Sequence, residues 1–124
     1  AKKTSDLAAE PSIRQFIKPC QRDFMKPPGL IADGRDMGTV IFKDARTKIF
    51  LTASLEERAK RRKVQLKRQG SEVNMRLLLQ ELEDRDKKDI ERKHSPLKPA
   101  TNSVIIDTSN LKPEGVVKEI KKNL

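Results

Sequence analysis

Two short β-type runs, Lys48-Ile49-Phe50-Leu51 and Ser103-Val104-Ile105-Ile106-Asp107, are separated by a long stretch of highly charged, helix-like sequence. A hairpin cannot span such a connection, whereas parallel strands require a helical crossover of this kind. The spacing therefore predicts an α/β domain built from parallel strands with helical crossovers. Ser54 followed three residues later by Glu57 has the form of a capping box, and the helix it opens is expected from about 55 to 69, stopping near Gly70. A second helix starts near Val73, carries Leu77, Leu78, Leu82 and Ile90, and ends before Ser95-Pro96 and Pro99. A short helix from about Pro113 to Asn123 closes the chain, with Pro113 suited to a first-turn position.

Upstream, residues 1–27 are polar and basic, and Pro11 and Pro19 limit helix there to short pieces, at about 12–18 and 20–26. Pro28 to Thr39 then holds the chemically richest stretch. Its apolar run Leu30-Ile31-Ala32 stops at Asp33, and Gly34 and Gly38 bracket Arg35-Asp36-Met37. This predicts a buried strand ending in a turn, with Val40-Ile41-Phe42 continuing extended. Open α/β sheets bind ligands at such carboxyl edges; an ordinary surface turn is the competing reading. Gly29 and Gly34 have Walker A spacing, but Arg35-Asp36 stands where Lys and a hydroxyl residue are needed, so this is not a phosphate loop.

The 124 residues suffice for one domain, or part of one, with a modest core. That core must be aliphatic, because the chain has four Phe, no Trp and no Tyr. A net charge of +10 favours a polyanionic partner or a nucleotide. The scarcity of aromatic side chains counts against single-strand nucleic acid, whose bases stack on such rings. One cysteine, Cys20, cannot form an internal disulfide, which fits a reducing, cytoplasmic setting. No apolar run has membrane length, and no signal peptide is visible.

Arg85, Asp89 and Arg92 recur at i, i+4 and i+7 and share one face of the second long helix. Such a face can grip an anion and orient hydroxyls at once; a solvated ion-pair ladder is the plainer alternative. Arg58, Arg61 and Arg62 share the other basic helix and could clamp a polyphosphate. Arg35 can grip a phosphate and Asp36 can accept hydrogen bonds. His94 and Cys20 are single residues with no supporting nucleophilic or metal-binding pattern, while Met25, Met37 and Met75 read as packing residues.

In order and spacing, these segments resemble the bacterial cytidylate kinases. The resemblance is carried by Gly29-Leu-Ile-Ala-Asp-Gly-Arg-Asp-Met-Gly-Thr39, Lys48-Ile-Phe-Leu51, Glu56-Glu-Arg-Ala59 with Arg61-Arg62, Arg85-Asp86 with Asp89 and Arg92, and Ile106-Asp-Thr108. It implies a P-loop NTPase-type nucleoside monophosphate kinase fold that moves the ATP γ-phosphoryl onto CMP or dCMP with Mg2+. By motif position, Ser5, Arg14, Asp36 and Arg92 would read the cytosine edge. Arg85 and Asp89 would hold the sugar, and Arg35 would contact the CMP phosphate. Residues 58–74 would form a lid over ATP, with Arg58, Arg61 and Arg62 as its phosphate contacts.

The same resemblance exposes a departure: no Gly-x-x-x-x-Gly-Lys-[Ser/Thr] occurs in this sequence. Residues 1–124 thus read as a single partial domain, the carboxyl-terminal part of such a kinase, without its P-loop strand. They are expected to be inactive alone and able to self-associate, whereas the intact enzyme is expected to be monomeric. The main ligands of ATP and Mg2+, and the catalytic Lys, would lie outside them. Two other readings are a basic nucleic-acid-binding module and a truncated, non-catalytic paralogue.

Overall fold

The computed structural model describes residues 2–124, with side chains from Asp6 onward. Helices α1 (Lys2–Ala9) and α2 (Pro11–Arg22) lead into a π-helical turn, Met37–Ile41. Strand β1 (Ile49–Thr52), helices α3 (Leu55–Arg68) and α4 (Met75–Glu91), strand β2 (Val104–Asp107) and helix α5 (Pro113–Lys121) follow. β1 and β2 pair in parallel, with Ile49 opposite Val104 and Thr52 opposite Asp107. The ladder continues past the strands, where Thr108 N donates to Thr52 O at 2.8 Å. α3 and α4 together form the crossover, as the length of the connection predicted.

Local chemistry explains most of the boundaries. Glu57 N donates to Ser54 Oγ at 3.2 Å, starting α3 at the expected serine. Only that half of the capping box forms. The Glu57 carboxylate turns forward to Arg61, and Ser54 N donates instead to Ser109 Oγ at 2.8 Å. Gly70 adopts φ +77°, a left-handed conformation that glycine takes without steric cost, just beyond the end of α3. Asn74 caps α4, accepting from the amides of Arg76 and Leu77 at 3.0 and 3.3 Å. Ala59 is fully buried on α3, and α3 packs against α4.

Three expectations fail. Leu30-Ile31-Ala32 is not a strand; it belongs to no ladder among the described residues, and Ile31 is 98% exposed. An apolar run becomes a strand only where another strand satisfies its backbone groups, and β1 and β2 pair with each other. Val40-Ile41 is not extended, because the chain closes a π turn in which Ile41 N donates to Asp36 O at 3.2 Å and Phe42 N to Met37 O at 2.7 Å. This tucks Ile41 into the small core with Ala59, Leu78 and Ile106. Finally, the two pieces expected around Pro19 are one helix, α2, with Pro19 inside it. Arg14 and Arg22 anchor α2 on either side of that proline. Arg14 bonds Asp36, and Arg22 Nε donates to Ile41 O at 2.9 Å.

Candidate functional site

The π turn, α2 and the carboxyl end of α4 bring together residues far apart in sequence. Asp36 caps the turn, and its carbonyl accepts from Val40 N at 2.8 Å. Its carboxylate is buried and accepts from Arg14 Nη1 at 2.6 Å. Arg14 Nε donates back to the Ala8 carbonyl, fixing the guanidinium plane between α1 and the turn. Next along the chain, Arg35 Nε pairs with the carboxylate of Asp89 on α4.

Asp89 is 3% exposed and is the hub of the cluster. Besides Arg35 it meets Arg92 Nη1 at 3.4 Å, and Arg85 Nε lies 3.9 Å away. A carboxylate this deeply buried requires such partners, since an isolated one would lose its charge. Arg92 stands at the end of α4, where its backbone is already extended. Its Nε donates to Ser95 O at 2.6 Å, while Nη2 is buried without a hydrogen-bond partner among the described residues. Burial pushes the Arg92 pKa down, nearby Arg14 adds to this, and Asp89 and Asp36 oppose it. The two carboxylates and four guanidiniums thus form one electrostatic unit that retains positive charge. It also holds a buried donor without a mate among the described residues, a state that calls for an explanation.

Of the predicted acceptor residues, Arg14, Arg35, Asp36, Arg85, Asp89 and Arg92 converge here; the Ser5 side chain lies outside the described residues. The three arginines expected in a lid do not converge. Arg58 crosses to α4, with Nη2 2.6 Å from Asp86 Oδ2, and its Nε donates to Ala53 O at 3.2 Å. Arg61 reaches the end of β2, donating to Thr108 O at 2.6 Å and Thr108 Oγ1 at 3.1 Å. Among the described residues, Arg62 bonds its neighbour Gln65. Shared spacing on one helix therefore conceals three separate destinations.

Sequence reasoning missed Arg22, which ties α2 to the π turn, and Ser95, whose carbonyl holds Arg92. Neither carries a motif signal, because both act through backbone carbonyls. The described residues do not build a magnesium site. Asp36 and Asp89 are already engaged by guanidiniums, and no group of three His, Cys, Asp or Glu residues could hold a metal ion among those described. No helix among the described residues is long and apolar enough to cross a membrane.

Comparison with known proteins decides the family. The cytidylate kinase family model matches residues 1–124. The chain belongs to the cytidylate kinase family. A cytidylate kinase of Pseudomonas aeruginosa (strain LESB58) is 50% identical over 116 residues, covering 94% of this chain and 51% of that protein. The cytidylate kinase of Methylococcus capsulatus is 52% identical over 113 residues, covering 91% of the chain and 51% of the relative. That of Pseudomonas entomophila is 48% identical over 120 residues, 97% of the chain and 53% of the relative. The chain spans about half the length of the curated relatives it matches. A mixed α/β domain with a small parallel sheet agrees with this membership.

Proposed function

We propose that these residues form the acceptor-binding part of an ATP:CMP phosphotransferase, taking CMP or dCMP to the diphosphate. The observation that carries this reading is the buried pair Asp36 and Asp89 inside a guanidinium cluster with one donor unmatched. Cytosine presents one amine donor beside carbonyl and ring-nitrogen acceptors, which a carboxylate and guanidiniums can match together. Asp36, Arg14, Arg92 and Ser5 are assigned to that edge. Asp89 and Arg85 are assigned to the sugar. Arg35, which engages Asp89 through Nε, can offer its outer nitrogens to the acceptor phosphate.

Residues 58–74 are assigned to the lid over ATP, with Arg58, Arg61 and Arg62 as its phosphate contacts. In the present arrangement Arg58 and Arg61 bond Asp86 and Thr108, so reaching a polyphosphate requires those bonds to be exchanged. ATP and its Mg2+ would be held chiefly by a phosphate loop, for which these 124 residues contain no motif. The test is steady-state kinetics of the full-length protein with CMP, dCMP, UMP and AMP as competing acceptors. The cytosine nucleotides are expected to give the highest kcat/KM, and equal use of all four would overturn the assignment.

A further inference from the structure

Ser95 adopts φ +51°, in the left-handed region that non-glycine residues rarely enter and that Asn and Asp enter most readily. Pro96 follows it and further narrows the conformations open to it. The turn is nevertheless held firmly. Ser95 O accepts from Arg92 Nε at 2.6 Å, and two residues later Leu97 N donates to Asp89 O at 2.7 Å. A strained residue pinned beside two members of the site points from the outlier to a role.

We propose that Ser95 is a positioning residue for Arg92. Its left-handed backbone turns its carbonyl onto Arg92 Nε, which sets the guanidinium plane. Nη1 then meets Asp89, and Nη2 remains the unmatched donor available to the acceptor. Arg92 is the C-cap of α4: its N–H still donates to Lys88 O at 3.1 Å, but its own backbone is already extended, so helical geometry no longer sets its side chain and a brace is needed. The device works through the backbone, so the serine hydroxyl contributes little and left-handed tolerance matters most. This inference rests on the assignment of Arg92 to the acceptor site.

The test is a substitution series in the full-length protein, Ser95→Gly, Ser95→Asn, Ser95→Ala and Ser95→Val, read as KM for CMP, dCMP and ATP. A side chain that disfavours the left-handed region lets the turn relax and withdraws the carbonyl from Arg92. The KM for CMP is expected to rise least for Gly and Asn, more for Ala, and most, roughly tenfold, for Val. The KM for dCMP should rise in step, because the two acceptors share the base, and the KM for ATP should hold. If Val does not fold, the order of Gly and Asn below Ala still decides the matter. A KM for CMP independent of the residue at 95, or equal rises for CMP and ATP, would overturn the proposal. Arg92→Ala belongs in the same series. If it leaves the KM for CMP intact, the acceptor assignment itself fails; if it raises that KM while the Ser95 series is flat, only the positioning role fails.

Discussion

Arg14 and Asp36 are held 2.6 Å apart across a separation of 22 residues, and the Asp36 side chain is only 8% exposed. The pair joins α2 to the π turn and thereby fixes where Arg35, the neighbour of Asp36, can point. Both residues are assigned to the same edge of the acceptor, yet they bind each other. Any ligand entering between them must replace a charge-assisted bond with bonds at least as good.

That pair should couple in stability as well as in binding. Arg14→Ala strands a covered carboxylate and is expected to cost about 3 kcal/mol. Adding Asp36→Ala removes the stranded charge, so the double variant should fall short of the sum of the singles by about 1–3 kcal/mol. Urea unfolding of the four proteins measures this, and simple additivity would show that the pair is decorative.

What was legible in the sequence is what depends on near neighbours. Ser54 starts α3, α4 begins at Met75, two residues beyond the expected Val73, Gly70 lies just beyond α3, and Val104–Asp107 is a strand, because caps and apolar runs act over a few residues. The facing of Arg85, Asp89 and Arg92 was likewise legible from helical periodicity, and all three do meet. Leu30–Ala32 shows the boundary of such reading. Three apolar residues are compatible with a strand, but a ladder partner decides the outcome, and local sequence carries no trace of one. The three arginines assigned to the lid show a second boundary. Spacing places Arg58, Arg61 and Arg62 on one helix, while the destinations of Arg58 and Arg61 depend on Asp86 and Thr108, which come from α4 and the end of β2.

A chain of hydrogen bonds at the carboxyl edge of the sheet predicts an acid-sensitive step. Ser109 donates its hydroxyl to Asp107 at 2.6 Å and its amide at 2.9 Å, and these bonds hold the Asp107 carboxyl below its usual pKa. The folded value lies below the unfolded one, about 3.9. The stabilisation is therefore present above that pH and is lost as pH falls through the folded value. Asp107→Asn should melt below wild type at pH 6 to 7, by a margin that shrinks once the pH falls below the unfolded value of about 3.9. A margin constant with pH would remove the charge from the account.

The 124 residues taken alone should give no ATP:CMP turnover in a coupled assay, because a kinase of this class cradles its transferred phosphates in a loop whose motif they lack. They should also self-associate. Ile31 and Ile105 are exposed, and β2 is paired on one side only among the described residues, a combination that promotes edge and patch contacts. Sedimentation velocity across a concentration series reads the second outcome. A monodisperse monomer, or turnover near the usual kinase range of about 1–100 s⁻¹, would contradict the corresponding half.

The sharpest test separates the two ends of the acceptor. Asp89, proposed to hold the sugar, loses a charge-assisted acceptor on substitution, so Asp89→Ala should lower kcat/KM for CMP by about 10- to 150-fold. The loss should be smaller for dCMP if the missing bond is to the 2′-hydroxyl, and the KM for ATP should barely move. Asp89 also neutralises Arg35 and Arg92, so the same variant leaves those guanidiniums to repel each other and should lower Tm. Arg92→Ala should instead weaken CMP and dCMP alike, because its proposed contact is the base they share. A solvated ion-pair ladder would predict under about 0.5 kcal/mol of stability change for either substitution and wild-type kinetics. The burial of Asp89 already argues against that ladder. Kinetics of both variants with both acceptors would decide whether this buried carboxylate serves the fold alone or the sugar as well.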